Sequence, residues 1–580
     1  MRREEPAAQG DDSALLSTPQ GRRARARRRG VRSGDLDRLR ALRERRGGAL
    51  NTPETIPAAL AALAESSASL SVYDRRGKRV TERPYPEVVA RARAWGAWLS
   101  GHGVTSGDVV FLCLPTGHDL IEAFLGASLI QALPCCLALP RAIGGLEVFR
   151  RRLELLAERY PGGHLVTSPE VGAETGRTFW EVPELDLTQL APLDAVDPQS
   201  LAYVQLTSGS TALPKAVSIR HSNLSANTRG IYVAGDGRPT GERFVSWLPL
   251  YHDMGLVGIV MTGLFHGIGL VLMRPETFVG TPLRWLEAIA AQDTTVVTSA
   301  PNFGYQWCVD RIRESKLEGL DLSPLRMACC GAEMVRPGTL SAFTERFTPY
   351  GFKPGTFTPC YGMAETTLAV TICPPDRDPV IHEGRVSCGP AIEGLEVSVR
   401  DPESGALLPD RAEGEVVVKG SSVFPGYFLD EAATQDRFSE GGFHTGDLGY
   451  LHEGELYVTG RIKDVIILDG ANVAPYELEW IAEQHVDMDG GRAGAFSVEV
   501  ERREVPVLVV ECKAVPEPEV IEAVRQQVNT DIAPLHDLVF VRRGTLPKTS
   551  SGKVKRGKVR ELYLAGELES LWSHKTQAPA

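Results

Sequence analysis

Residues 202–215 read AYVQLTSGSTALPK. The run opens as a short strand, Ala202–Leu206, whose residue types suit a pleated surface. It continues as Thr207-Ser208-Gly209-Ser210-Thr211-Ala212-Leu213-Pro214-Lys215. A loop of small hydroxyl residues and glycine can turn several backbone N–H groups onto one phosphate. The hydroxyls of Thr207, Ser208, Ser210 and Thr211 add donors, Gly209 leaves room, and Lys215 adds a charge. The GxxxxGK spacing of a Walker A loop is absent. Read alone, the segment is equally a polar linker. The strand before it and the lysine after it favour an anion site.

Outward from this loop, short β-rich runs recur at Val109–Leu114, Thr295–Ser299 and Arg326–Cys330. Helical periodicity covers Glu87–Leu99 and Leu120–Leu129 between them. Helices alternating with buried strands predict an α/β protein with a large domain of mixed and parallel sheets. The pattern changes near Lys463. Asp464–Leu468 reads as a strand, Pro475 opens a helix carrying Leu478 and Ile481, and Val505–Cys512, Glu519–Val528 and Leu538–Val541 follow as strand, helix, strand. This is a small α+β domain. The expected division is a basic extension over 1–50, a large domain over 51–461 and a small carboxy-terminal domain over 462–580.

The chain is 43% hydrophobic and 24% charged, as soluble globular proteins are. Residues 1–48 hold 14 Arg against 7 acidic residues, while the net charge of the whole is −11. The body is therefore acidic, which argues against general nucleic-acid binding. The Arg-rich segment is read as a disordered extension, with a nucleic-acid or membrane tail as the alternative. No apolar run is long enough to span a bilayer. The ten Cys show no CxxC pairing, which fits buried thiols in a reducing cytoplasm.

Five more segments carry chemistry. Ser246-Trp247-Leu248-Pro249-Leu250-Tyr251-His252-Asp253-Met254-Gly255 is a Pro-bounded turn presenting an aromatic ring, an imidazole and a carboxylate. A lone His such as His252 is more often structural than catalytic, and no second His stands at metal-ligand spacing. Gly331-Ala332-Glu333 follows a strand end, where α/β folds bind nucleotides. Its small residues permit a flat base to approach; alternatively, Glu333 stands in the first turn of a helix. Tyr361-Gly362-Met363-Ala364-Glu365-Thr366 joins a ring, a carboxylate and a hydroxyl. Glu365 suits Mg²⁺ beside phosphate oxygens. His444-Thr445-Gly446-Asp447 precedes a hairpin turning at Glu453-Gly454, and Asp447 can accept bonds from a ribose diol or merely shape the turn. Pro547-Lys548-Thr549-Ser550-Ser551-Gly552-Lys553 carries a cation on a flexible loop, suited to negative charge building at a reaction centre. Without its company it reads as a basic tail.

In this order the segments resemble the adenylate-forming superfamily of acyl-CoA synthetases, nonribosomal-peptide adenylation domains and firefly-type luciferases, over about residues 55–565. Ser246–Gly258, Ser299–Cys308 and Pro359–Leu368 look most like the fatty acyl-AMP ligases. That resemblance implies ATP-dependent adenylation of a carboxylic acid, then transfer to the phosphopantetheine thiol of a holo acyl carrier protein. It implies that Thr207–Lys215 binds pyrophosphate, that Ala332 and Tyr361 flank adenine, with Gly331, Glu333 and Gly362 in the same ATP/AMP site, and that Thr366 touches phosphate. Glu365 would ligate Mg²⁺, Asp447 and Arg461 would bind ribose, and Lys553 would meet the carboxylate and α-phosphate, with His252 beside them. Lys463 would be the hinge of a mobile small domain. Trp247, Asp253 and Asn302 would line the acid pocket.

Two departures stand out. The family's second loop glycine is Ala212 here. The segment after Glu365, whose lengthening in the family is associated with refusing CoA, reaches Val386 in about twenty residues. A CoA ligase and a free-standing amino-acid or β-amino-acid activating enzyme are therefore the alternatives.

Overall fold

The computed structural model describes residues 52–575, except 75, 141–145, 176–177, 208–213, 238–240, 469–470, 489, 501–502 and 550–551. The basic extension, and with it Ser208, Gly209, Ser210 and Thr211, lies outside the described residues.

The main sheet has eight strands. Six run parallel in the order Phe357–Gly362, Leu325–Gly331, Thr295–Pro301, Glu242–Ser246, Gly269–Met273, Ser69–Tyr73. Antiparallel strands Ala369–Ile372 and Arg79–Pro84 close its two edges. Every residue of Gly269–Met273 is buried, as expected of a strand with helices on both faces. A second parallel sheet orders Leu133–Cys136, Val109–Cys113 and His164–Thr167. Beside it, Leu201–Leu206 and Ala216–Arg220 pair antiparallel. The phosphate-loop segment thus joins two arms of a hairpin rather than a strand to a helix.

An antiparallel five-stranded sheet follows, containing Gly414–Gly420, Gly442–His452 and Glu455–Arg461. The expected turn is present: Glu453 and Gly454 both have positive φ, 52° and 78°, the geometry of a tight hairpin. The chain then passes through a 3₁₀ turn, Ile462–Asp464, into a smaller carboxy-terminal domain. Its sheet orders Ala493–Val500, Arg503–Cys512, Asp537–Arg542 and Ser570–Lys575. The helices Pro475–His485 and Pro518–Asp531 pack on it through Leu478, Ile481, Val524 and Val528. The edge strand Ser570–Lys575 is half-exposed, and its weak pattern gives no sequence signal.

One expectation is corrected. Glu333 does not open a helix, because the helix begins at Pro337. Residue 332 is instead a left-handed turn, φ 64°. Among the described residues no helix is long and apolar enough to cross a membrane.

Candidate functional site

A cleft of about 830 Å³ opens where the strands Leu325–Gly331 and Phe357–Gly362 end. Thr207, Lys215, His252, Asp253, Asn302, Ala332, Glu333, Tyr361, Gly362, Glu365, Asp447, Arg461, Lys463 and Lys553 all line it. Segments separated by up to 346 positions in the sequence therefore meet at one place. Apolar side chains line the same cleft, among them Ile231, Phe244, Ile259, Val297, Met327 and Leu368. Part of that wall comes from the π-helix Leu256–Met261, a local widening that recurs at functional sites.

One end of the cleft is a closed polar lattice. Asp447 and Arg461 are cross-strand partners in the hairpin register, and Arg461 Nε lies 2.7 Å from Asp447 Oδ1. The Tyr361 hydroxyl donates to Asp447 Oδ2 at 2.8 Å. Burial, and next the Asp447 charge, push the Tyr361 phenol well above its ordinary value, so it stays a donor. Close approach is built in here. A side chain on Gly331 would come within 2.7 Å of the Cys360 carbonyl oxygen, and one on Gly362 within 1.8 Å of the Leu368 carbonyl oxygen. Only glycine fits either position.

Glu365 sits in a 3₁₀ turn and accepts a bond from the Tyr427 hydroxyl at 2.9 Å. Burial raises its carboxyl above the usual range, against that bond. Lys215 Nζ lies 4.5 Å from the Tyr427 ring centre, within cation–π range. Tyr427 thus joins Lys215 to Glu365. Local pattern does not reveal it, because a lone tyrosine after Pro425-Gly426 has no spacing to either partner. Thr207 N donates to Lys215 O at 2.9 Å, closing the loop at its base. Gln205 Nε2 donates to Tyr251 O at 2.8 Å, tying the loop's strand to the Pro249–Asp253 turn.

In that turn His252 Nδ1 lies 2.6 Å from Asp253 Oδ1. Burial alone would raise the Asp253 carboxyl. The His252 charge and bond, the Met254 N–H and Lys553 together lower it. Asn302 is buried and locked, its Oδ1 accepting from Arg336 N at 3.0 Å and its Nδ2 donating to Thr339 Oγ1 at 3.1 Å. Glu333 accepts from Phe303 N. Thr366 is fully buried, and its hydroxyl donates to the Met363 and Leu368 carbonyls at 2.9 and 3.2 Å. Gly331 likewise stands behind the wall. Trp247 is 3% exposed and stacked on Phe278 at 3.9 Å. It faces a second cavity, about 1910 Å³, which also touches His252, Asn302, Ala332, Glu333 and Lys553.

Lys553 reaches the cleft on a braced loop. Thr549 N donates to Lys553 O at 2.7 Å and Lys555 N to Pro547 O at 2.8 Å. Lys553 N donates to Thr549 Oγ1 at 3.1 Å. Before the loop, the fully buried Glu511 accepts from Gly544 N, Leu546 N and Arg492 N, each at 2.9 Å, and from Lys548 Nζ at 2.8 Å. Bonds to a charged group are worth about 1.5–3 kcal/mol each, enough together to offset a buried carboxylate's lost hydration. After the loop, Arg556 forks onto Glu479 at 2.6 and 2.7 Å and reaches Asp464, beside Lys463, at 3.3 Å. Burial, then Arg461, lower the Lys553 ammonium; Asp447, Glu333 and Asp253 oppose them.

The AMP-binding enzyme family model matches residues 157–428. The chain is 34% identical to a putative acyl-CoA synthetase of Caulobacter vibrioides, over 88% of this chain and 96% of that protein. It is 31% identical to a medium-chain-fatty-acid–[acyl-carrier-protein] ligase of Moorena producens, over 85% and 91%. A solved structure from a study of fatty acyl-adenylate ligases of E. coli and L. pneumophila superposes with TM-score 0.81 at 33% identity, over 89% and 98%. The fold is that of an AMP-forming acid ligase. The chain belongs to the AMP-binding enzyme family.

Proposed function

We propose that the protein adenylates a fatty or related acyl acid with ATP and then passes the acyl group to the phosphopantetheine thiol of an acyl carrier protein. The observation that carries this reading is the single cleft in which Lys215, Lys553, Glu365 and Asp447 converge beside an apolar wall. Asp447 and Arg461 hold the ribose, Tyr361 and Ala332 flank the base, and the 207–215 loop holds the phosphates. The acid's chain lies against Phe244, Val297 and Met327, while its carboxylate meets Lys553. As carboxylate oxygen attacks the α-phosphate and the α–β bond breaks to release pyrophosphate, charge concentrates where a fixed ammonium stabilises it most. Glu365 has the donor chemistry for one Mg²⁺, which prefers a carboxylate plus phosphate oxygens and, when bound, neutralises phosphate charge. A rotation of the domain after residue 461 about Lys463 then admits the thiol, and the second cavity, which meets the first at Lys553, supports a separate route for it.

CoA as acceptor is the second reading. It is favoured by the short stretch after Glu365, which forms the edge strand Ala369–Ile372 and the hairpin of Ile381–His382 and Arg385–Val386. Thioester formation from preformed acyl-adenylate, compared on CoA and on holo carrier protein, decides between them. Faster transfer to the carrier is expected. Equal or faster transfer to CoA would reverse the ranking.

A further inference from the structure

Arg152 stands on the helix Leu146–Arg159. Phe149, Leu153 and Leu156 form that helix's buried face at helical spacing, each at most 5% exposed. Arg152 falls on the same face, whereas its neighbours Arg150 and Arg151 are exposed. It lines the cleft together with Gln205, Thr207, Lys215 and Tyr251. Its Nε is shut away from solvent and has no hydrogen-bond partner. Among the described residues no carboxylate pairs with it; the titratable groups that face it are Cys135, Cys113 and Tyr251.

A guanidinium remains protonated in such a place, and a partly buried charge whose Nε has no partner carries a desolvation cost. That cost is offset when an anion arrives. On the adenylation reading, on which this inference rests, the acid's carboxylate goes to Lys553. The anion beside Thr207 and Lys215 is the polyphosphate. We propose that Arg152 is a polyphosphate-binding residue, its planar fork taking the β- and γ-phosphate oxygens of ATP and then pyrophosphate as it leaves. In the sequence it is one of three consecutive arginines, and only the inward phase of the helix singles it out.

The test uses the full chain with Arg152→Met, which removes the charge and keeps the bulk. The KM for ATP and for pyrophosphate in the exchange reaction should each rise about tenfold or more. Affinity for AMP, which lacks the outer phosphates, should be unchanged. The ligand-free Tm should hold or rise, because an unpaired buried charge is gone. Arg152→Lys keeps a charge without the fork and should give intermediate KM values. The proposal is overturned if AMP affinity falls as much as ATP affinity. It is also overturned if only the KM for the acid changes, or if the ligand-free Tm drops while the KM for ATP stays put. Should Arg152→Met not fold, an unchanged KM for pyrophosphate in Arg152→Lys overturns it. Wild-type protein with no acid-dependent exchange would sink the adenylation reading itself. Exchange undiminished in Arg152→Met would sink this inference alone.

Discussion

The two ends of the cleft are built on opposite plans. At the end where we propose the ribose lies, Tyr361, Asp447 and Arg461 satisfy one another with bonds of 2.7 and 2.8 Å. At the end where we propose the phosphates lie, Lys215 stands over the Tyr427 ring, and among the described residues no carboxylate pairs with Arg152, whose Nε has no hydrogen-bond partner. The first end is preorganised: its groups keep their places whether or not a nucleotide is there. The second stores unsatisfied positive charge that only an anion relieves. A ligand binding such a site gains shape from one end and charge from the other.

Removing the Lys553 charge should do the most damage. Lys553→Ala should reduce adenylation by about 10²–10³, the scale of removing one preorganised electrostatic donor. Transfer from preformed acyl-adenylate should suffer far less. Comparable loss in both half-reactions, measured separately, would make Lys553 a structural residue instead.

A smaller effect is expected one step back. Glu511→Gln leaves two of four donors facing an amide nitrogen, so the Lys553 loop loses its brace. Adenylation kcat should fall about tenfold, as for one charge-assisted bond. In the Lys553→Ala background the same change should cost almost nothing further. Full additivity in that double-mutant cycle would contradict a positioning role.

The smallest effect is in the pH profile. The Lys553 ammonium is lowered by burial and Arg461, so its charged form disappears at a pH below the ordinary lysine range. Adenylation should decline along that alkaline limb. Lys553→Arg, which stays charged, should flatten the limb even if its rate is lower. An alkaline limb that survives in Lys553→Arg would assign the titration elsewhere.

Much of the fold was legible in the sequence. Alternating apolar runs marked the parallel strands, and Glu453-Gly454 marked its hairpin, because period and turn chemistry are local. The site's members were legible as types: the carboxylates Glu365 and Asp447 and the lysine Lys553 each sit in a short segment of unusual composition. What joins them was not. Tyr427 between Lys215 and Glu365, Glu511 beneath the Lys553 loop, and Arg152 on its inward helical phase all act through contacts between distant segments. Nothing in local spacing encodes such contacts. The alternative reading, Glu333 in the first turn of a helix, failed for a related reason: Ala332 adopts φ 64°, a conformation that alanine seldom takes.

Acid-dependent ATP–pyrophosphate exchange by the wild-type chain, run across fatty, aryl-alkanoic and amino acids, tests the central claim most directly. Exchange should appear with at least one acid, strongest for those with apolar chains that fit the wall of Phe244, Val297 and Met327. ATP binding detected by thermal shift, with no acid supporting exchange, would contradict it.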